Sequence, residues 1–384
     1  FQHSFLCRLS LSTIESIPRM MMALTSTDIL NALKTVNDPE LHKSLTELGM
    51  VDNIVIEGTH VCLDIILTTK ACPLKDKIKN DAREAVLALT EATEATINIS
   101  GKTLTPRLPQ KQGIPGVKNI IAVSSGKGGV GKSTVAVNIA CAMAKLGATV
   151  GILDADIYGP NVPIMMGLQN ASIREMNENG KAILPQNHGV KVMSISFLVK
   201  PDQALIWRGP ILHKSISQFF TDFDWGELDY LVIDMPPGTG DIHLTLMQTV
   251  PVTGVVIVTT PQKVALADAK KGIAMFGQAQ INVPIIGLVE NMAFFTPAEL
   301  PENKYYLFGK EGGKNLAEEY DLPFLGQVPL VQSIREGGDE GKPAMIAAEN
   351  TTKQAFRDFT AKAVRNIALR NANMPHTKLI EVVA

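Results

Sequence analysis

The sequence predicts an α/β fold in which a mostly parallel sheet is covered by helices on both faces, preceded by a small α+β domain. Three observations carry that expectation. Beyond residue 116, apolar runs without in/out alternation (NIIAVSS, ATVGILDAD, YLVIDMP, GVVIVTT, PIIGLVEN) take turns with stretches at helical spacing, the pattern of strands buried on both faces by crossover helices. The first of these runs leads directly into a glycine-rich loop and then a helix. Ahead of residue 105 the rhythm changes to short alternating strands beside short helices, and a Pro/Gly stretch divides the two regions.

Composition fits two globular domains. At 384 residues the chain exceeds the usual single-domain size, and 45% hydrophobic against 19% charged residues can bury a large core. The formal net charge of -2 supplies no long-range field toward nucleic acid or an anionic membrane, so neither is expected as a partner. Cys7, Cys62, Cys72 and Cys141 lie far apart, without the spacing of a disulfide framework or a zinc knuckle, and point to a reducing cytoplasm. No apolar run reaches the roughly 20 residues that cross a bilayer.

In chain order, residues 1–22 carry Arg8, Arg19 and several serines, loosely like a transit peptide; they read as disordered leader sequence upstream of a start among Met20 to Met22. Residues 23–104 form the small domain. Ile29, Leu30, Leu33 and Val36 fall at helical spacing behind Ser26 or Thr27 as N-cap, two strands flank Glu57-Gly58, and helical periodicity returns over 74–89. Residues 105–116, with Pro106, Pro109 and Pro115, are the linker. Residues 117–372 form the large domain, its last helix over about 352–371 placing Phe356, Phe359, Ala363 and Ile367 on one side, and 373–384 are a tail.

The chemistry is concentrated in GKGGVGKST, residues 126–134, which fits the phosphate-loop pattern G-x-x-x-x-G-K-[ST] between a strand and a helix. Gly128, Gly129 and Gly131 let the backbone curl around an anion, because a Cβ there would block the phosphate or the turn, and Gly126 and Val130 belong to the same nucleotide-binding loop. Lys132 is expected on the β- and γ-phosphates of ATP, Ser133 on Mg2+, and Thr134 in the first turn of the new helix. Lys127, directly after the first glycine, cannot easily fold back on its own nucleotide and reads as a cation given across a two-fold interface. Asp156 is expected to orient the attacking water and Asp154 to support the metal's water shell. Asp234, ending the run YLVID, is the carboxylate held near Mg2+ by a rigid strand. The loop PPGTGD behind it, with the Gly238 N–H, reads as a nucleotide-sensing switch, and Asn291 as a reader of the adenine edge.

Taken together, GKGGVGKST, LDADIYGPNVP, WRGP (from Trp207), DMPPGTGD and ENM resemble the Mrp/ApbC iron–sulfur cluster carrier ATPases of the ParA/MinD group. NDPEL near Asp38, LGM at Leu48 and TTKACP around Cys72 resemble that family's small N-terminal domain. The resemblance implies a homodimer that binds ATP at its interface, hydrolyses it slowly and delivers a [4Fe-4S] cluster to apo-proteins. The sequence departs from the family in one respect: ENMAFFTPAELPENKYYLFG lacks the C-x-x-C pair that usually follows ENM. Cys72 is then the remaining candidate cluster ligand, with a small buried apolar group as the other reading. Other functions open to this fold are a positioning ATPase acting on DNA or membrane, and an ATP-dependent ligase or kinase.

Overall fold

The structure, a computed structural model, describes residues 24–39, 41, 43–105, 113–199, 209–297, 299–300, 302–347, 351–375, 377 and 379. The leader, most of the linker, and Trp207 and Arg208 of the WRGP segment lie outside the described residues. Two compact units emerge: one takes in the described residues up to Asp38 with 42–65 and 77–98, the other 39–41, 66–76 and the described residues from 99 onward.

The small unit is built around a three-stranded sheet. Helix α1 (Ser26–Leu33) is capped one residue ahead of the earlier of its two expected caps: Thr25 is the N-cap, and its hydroxyl accepts from the Asp28 N–H while Asp28 accepts from the Thr25 N–H. Asp28, three residues on, completes a capping box that neither Ser26 nor Thr27 can form. Strands β1 (Val51–Glu57) and β2 (His60–Leu67) make the expected hairpin, Gly58 taking the left-handed turn conformation (φ 63). Helix α2 (Lys75–Leu87) follows, and β3 (Glu94–Gly101), which the sequence reading did not single out, completes the order β1-β2-β3. Val61, Leu63 and Ile65 of β2 and Ile78, Ala82 and Val86 of α2 are buried, alternating in the strand and one turn apart in the helix.

In the large unit, β4 (Val117–Ser124), α3 (Lys132–Lys145) and β5 (Val150–Asp154) lead to a short α4 (Val162–Met165), two-residue strands β6 (Ala182–Ile183) and β7 (Gln186–Asn187), and β8 (Val190–Ser194). Then come α5 (Gly209–Thr221), β9 (Phe223–Asp224), β10 (Leu228–Asp234), α6 (Asp241–Thr249), β11 (Gly254–Thr259), α7 (Lys263–Phe276) and β12 (Ile285–Glu290). The chain closes with α8 (Gly312–Glu319), β13 (Phe324–Gln327), α9 (Gln332–Asp339) and α10 (Thr351–Asn373). Eight strands form one sheet in the order β13-β12-β11-β4-β10-β5-β8-β7, parallel except for β7 against β8.

The unbroken apolar runs are explained by two cores, one on each face. Along β10, Leu231 and Ile233 enter the core shared with α5, α6 and α7, while Tyr230 and Val232 enter the core shared with α3 and α10. Strands β4 and β11 divide in the same way, Ala122 and Ile257 to one side, Val123 and Val256 to the other. Each fully buried Val, Leu or Ile contributes roughly 1.5–3 kcal/mol relative to exposure, which is why the middles of strands covered on both faces are apolar and their buried polar residues, such as Asp154 and Asp234, sit toward the ends. Phe356, Phe359, Ala363 and Ile367 of α10 are buried in the second core, which accounts for that helix's apolar side by packing.

Candidate functional site

The parallel register brings the carboxyl ends of β4, β5 and β10 together. Asp234 is paired in register with Asp154 on one side and Val123 on the other, so the strand-end carboxylates and the loop after β4 meet at one edge of the sheet.

The loop after β4 curls as its glycines demand. Gly129 (φ 79) and Gly131 (φ 81) take left-handed conformations, and Gly131 is the N-cap of α3 without any side-chain cap, leaving the helix's first N–H groups for an anion. Lys127, Gly128, Gly129, Gly131, Lys132, Ser133, Thr134 and Asp156 line one cavity of about 210 Å3. Gly126, Val130 and Gly238 do not. Gly126 lies against the backbone of α7, where a Cβ would run into Asp268. Val130 is buried, and its carbonyl accepts from Asn291 Nδ2 at 2.8 Å. The Gly238 N–H, in the loop read as a nucleotide-sensing switch, donates here to the Ser125 carbonyl at 2.9 Å, and Pro237 of the same loop lines the cavity. The PPGTGD loop crosses beside the start of the phosphate loop, and a backbone N–H there is satisfied by the nearest carbonyl.

Lys132 is buried, and its ammonium donates to Asp234 Oδ1 at 2.6 Å and to Ser133 Oγ at 3.2 Å. Asp234 is fully buried, and its Oδ2 has no hydrogen-bond partner. Burial raises the Asp234 carboxyl above its ordinary value, against the opposing pull of Lys132. An orphaned carboxylate oxygen beside a serine hydroxyl is a hard, all-oxygen donor set of the kind Mg2+ takes, so the residues present fit that ion.

Asp154 lies beside Asp234 and is held by protein groups. It is fully buried, and its oxygens accept from the N–H groups of Asp156 (3.2 Å) and Val162 (3.1 Å) and from the Ser194 hydroxyl (3.3 Å). Its carboxyl is pushed well above the ordinary range by burial and by neighbouring Asp234. Asp154 therefore braces the turn that carries Asp156 and the start of α4, and stands behind the cavity wall. Asp156 reaches the cavity itself, its carboxyl raised chiefly by burial although Lys132 opposes.

A second cavity of about 330 Å3 adjoins the first through Gly131 and Thr134 and is lined by Met165, Asn291, Leu330 and Ile334 among others. The segment from Pro329 and helix α9 that form its far wall carry no motif; only the tertiary fold reveals them. Elsewhere, Cys141 is fully buried in the core, its thiol pushed up to about 12. Cys72 is 3% exposed in the turn before α2, and Cys62 is half-buried. Among the described residues no group of three or more His, Cys, Asp or Glu side chains is placed to hold a metal ion, and no helix is long and apolar enough to cross a membrane.

Residues 116–365 match the family described as NUBPL iron-transfer P-loop NTPase, and residues 26–99 match the family described as iron-sulfur cluster assembly protein. An iron-sulfur cluster carrier protein of Synechocystis sp. is 49% identical over 344 residues, 89% of this chain and 97% of the relative. One from Deinococcus radiodurans is 46% identical over 343 residues, covering 89% of this chain and 95% of that protein. Among solved structures, a nucleotide-binding protein of Archaeoglobus fulgidus in complex with ADP aligns with a TM-score of 0.54 at 38% identity, over 61% of this chain and 91% of that one.

Proposed function

Because this chain belongs to the NUBPL iron-transfer P-loop NTPase family, we propose that it binds and slowly hydrolyses ATP and uses that cycle to carry iron–sulfur clusters, [4Fe-4S] in type, to apo-proteins. The observation that carries the nucleotide half is the cavity lined by Lys132 and Ser133 at the N-terminus of α3, with Asp234 buried behind it in contact with Lys132. The carrier half is supported by the names of relatives aligned over nearly their whole length.

The cradle's residues divide the work. Backbone N–H groups of residues 128–133 hold the β- and γ-phosphates, and Lys132 exchanges Asp234 for phosphate oxygens as the triphosphate enters. Mg2+, held by Ser133 and Asp234, would neutralise charge on those phosphates. Asp156, at the cavity wall with a raised carboxyl, orients a water for in-line attack on the γ-phosphate. Lys127, half-buried at the cavity rim, reaches the phosphates of a second copy and so makes closure of a homodimer depend on the nucleotide. Release of phosphate frees the PPGTGD loop to return to Ser125. The cluster, as cargo, needs thiolates from more than one chain: two copies of Cys72, or a client's own cysteines.

The test has two arms. Lys132→Ala is expected to weaken Mg-ATP binding by roughly 100-fold and abolish turnover; turnover at the wild-type rate defeats the ATPase assignment. Anaerobic reconstitution followed by iron and sulfide analysis should give a cluster that moves to an apo-protein, and that Cys72→Ser holds less well. Iron at background level, with ATPase activity intact, defeats the carrier assignment alone.

A further inference from the structure

We infer that the outward face of α10 is a docking cleft for an acidic, extended segment of the apo-protein that receives the cargo. The inference rests on the carrier reading above for the identity of that partner. Phe356, Phe359, Ala363 and Ile367 bury one side of α10 in the core, and other residues of the helix line two cavities of about 460 and 220 Å3. Leu146 and Arg357 line both, so the two run together as one cleft. Its cations are Lys145 at the end of α3 and Lys353, Arg357, Lys362 and Arg365 of α10. Asp358 is the acidic residue among the described lining, and its carboxylate is taken by Gln354 Nε2 at 2.6 Å. Among the described residues Lys145, Arg357 and Lys362 have no ion-pair partner. The excess of positive charge therefore awaits an anion.

The spacing of the cations selects an extended chain. Lys353, Arg357, Ala361 and Arg365 follow one another at four-residue intervals, about 6 Å apart along the axis, so the row is roughly 18 Å long. Ala361, with its small side chain, leaves room between the two arginines. In an extended segment every second side chain points the same way at a repeat of about 6.6 Å, so roughly six residues with acids at alternate positions match the row. Pro39, Pro73, Leu74 and Leu146 supply apolar lining for the side chains between. A phosphate or a small carboxylate spans only one step of that row. A bilayer or a duplex presents its charges on a broad face, which a recessed row meets poorly. Pro73 directly follows Cys72, so a segment in the cleft is brought beside the proposed cluster ligand.

Fluorescence anisotropy on the full chain, without nucleotide or cluster, tests this with a short labelled peptide of alternating Glu and Leu and a Lys/Leu peptide as control. Wild type should prefer the Glu peptide and lose it as salt is raised. The double variant Arg357→Glu/Lys362→Glu should bind it at least about tenfold more weakly, with melting temperature and Mg-ATP affinity unchanged. If that variant does not fold, Arg357→Gln/Lys362→Gln carries the same comparison. In reconstituted protein, excess Glu peptide should slow cluster delivery to an acidic apo-ferredoxin several-fold. Equal binding of the two peptides, undiminished binding in the variant, or unslowed delivery overturns the proposal. So does tighter binding of citrate or of phosphatidylserine vesicles that the same variant loses, since the cleft then belongs to a free anion or a membrane. Peptide binding that survives where no cluster can be reconstituted defeats the carrier reading; a reconstituted cluster without peptide binding defeats the cleft alone.

Discussion

Several groups packed around the phosphate loop depart from the behaviour of their free amino acids. His243, at the start of α6, is 1% exposed; its Nδ1 has no hydrogen-bond partner and its Nε2 lies 3.5 Å from Ser124 Oγ, just ahead of the loop. Burial pulls its pKa down from 6.5 to about 4. The folded protein thus keeps the ring neutral in a range where the unfolded chain protonates it, so stability is complete above about pH 6.5 and drains away as pH falls toward 4. The loss is on the order of 3 kcal/mol. Urea midpoints at pH 7 and pH 4.5 should diverge in wild type and draw together in His243→Gln; equal acid losses in both proteins would show that another group is responsible. Lys132 and Asp234 illustrate the complementary case, a buried cation and a carboxylate each compensated by the other at 2.6 Å.

Between elements, the phosphate loop is clamped on three sides: α7 behind Gly126, the PPGTGD loop at Ser125, and the end of β12 at Val130. These clamps separate glycines that look equivalent in the motif. Gly126→Ala forces a Cβ into the α7 backbone and should cost about 1–3 kcal/mol of stability. At Gly128 the nearest atoms to an added Cβ are those of Pro237, 3.9 Å away, an ordinary contact. Gly128→Ala should therefore leave thermal stability nearly unchanged while weakening Mg-ATP binding, because the methyl group enters the phosphate cavity. Calorimetry beside nucleotide titration checks the pair; similar stability losses in both variants would contradict this division.

For the molecule as a whole, the expected consequence of the proposed in-trans lysine concerns assembly. Lys127→Ala should bind ATP nearly as tightly as wild type yet fail to dimerise with it, and hydrolysis should fall by at least about 100-fold, as when a cation given across an interface is removed. Light scattering with and without nucleotide measures this; ATP-dependent dimers of normal strength in the variant would place Lys127's role within its own subunit. The apolar side of α10 is packed in the sheet's core, so that helix contributes to the fold and offers no apolar face to a membrane.

Much of this was legible in the linear chain because it depends on local chemistry. Runs such as YLVID announce a strand covered twice, and GKGGVGKST announces its loop, since only glycines tolerate the required curl and only that spacing delivers Lys132 and Ser133 to one anion. The α/β class, the parallel sheet and the family follow from such patterns. What residue order alone could not say is how each backbone donor and carboxylate is shared among neighbours distant in sequence. Gly238 turned out to serve Ser125, Asp154 the turn of Asp156, and Asn291 the carbonyl of Val130, because a buried polar group takes whichever partner the packed strands bring within reach, and that geometry exists only once the sheet has formed.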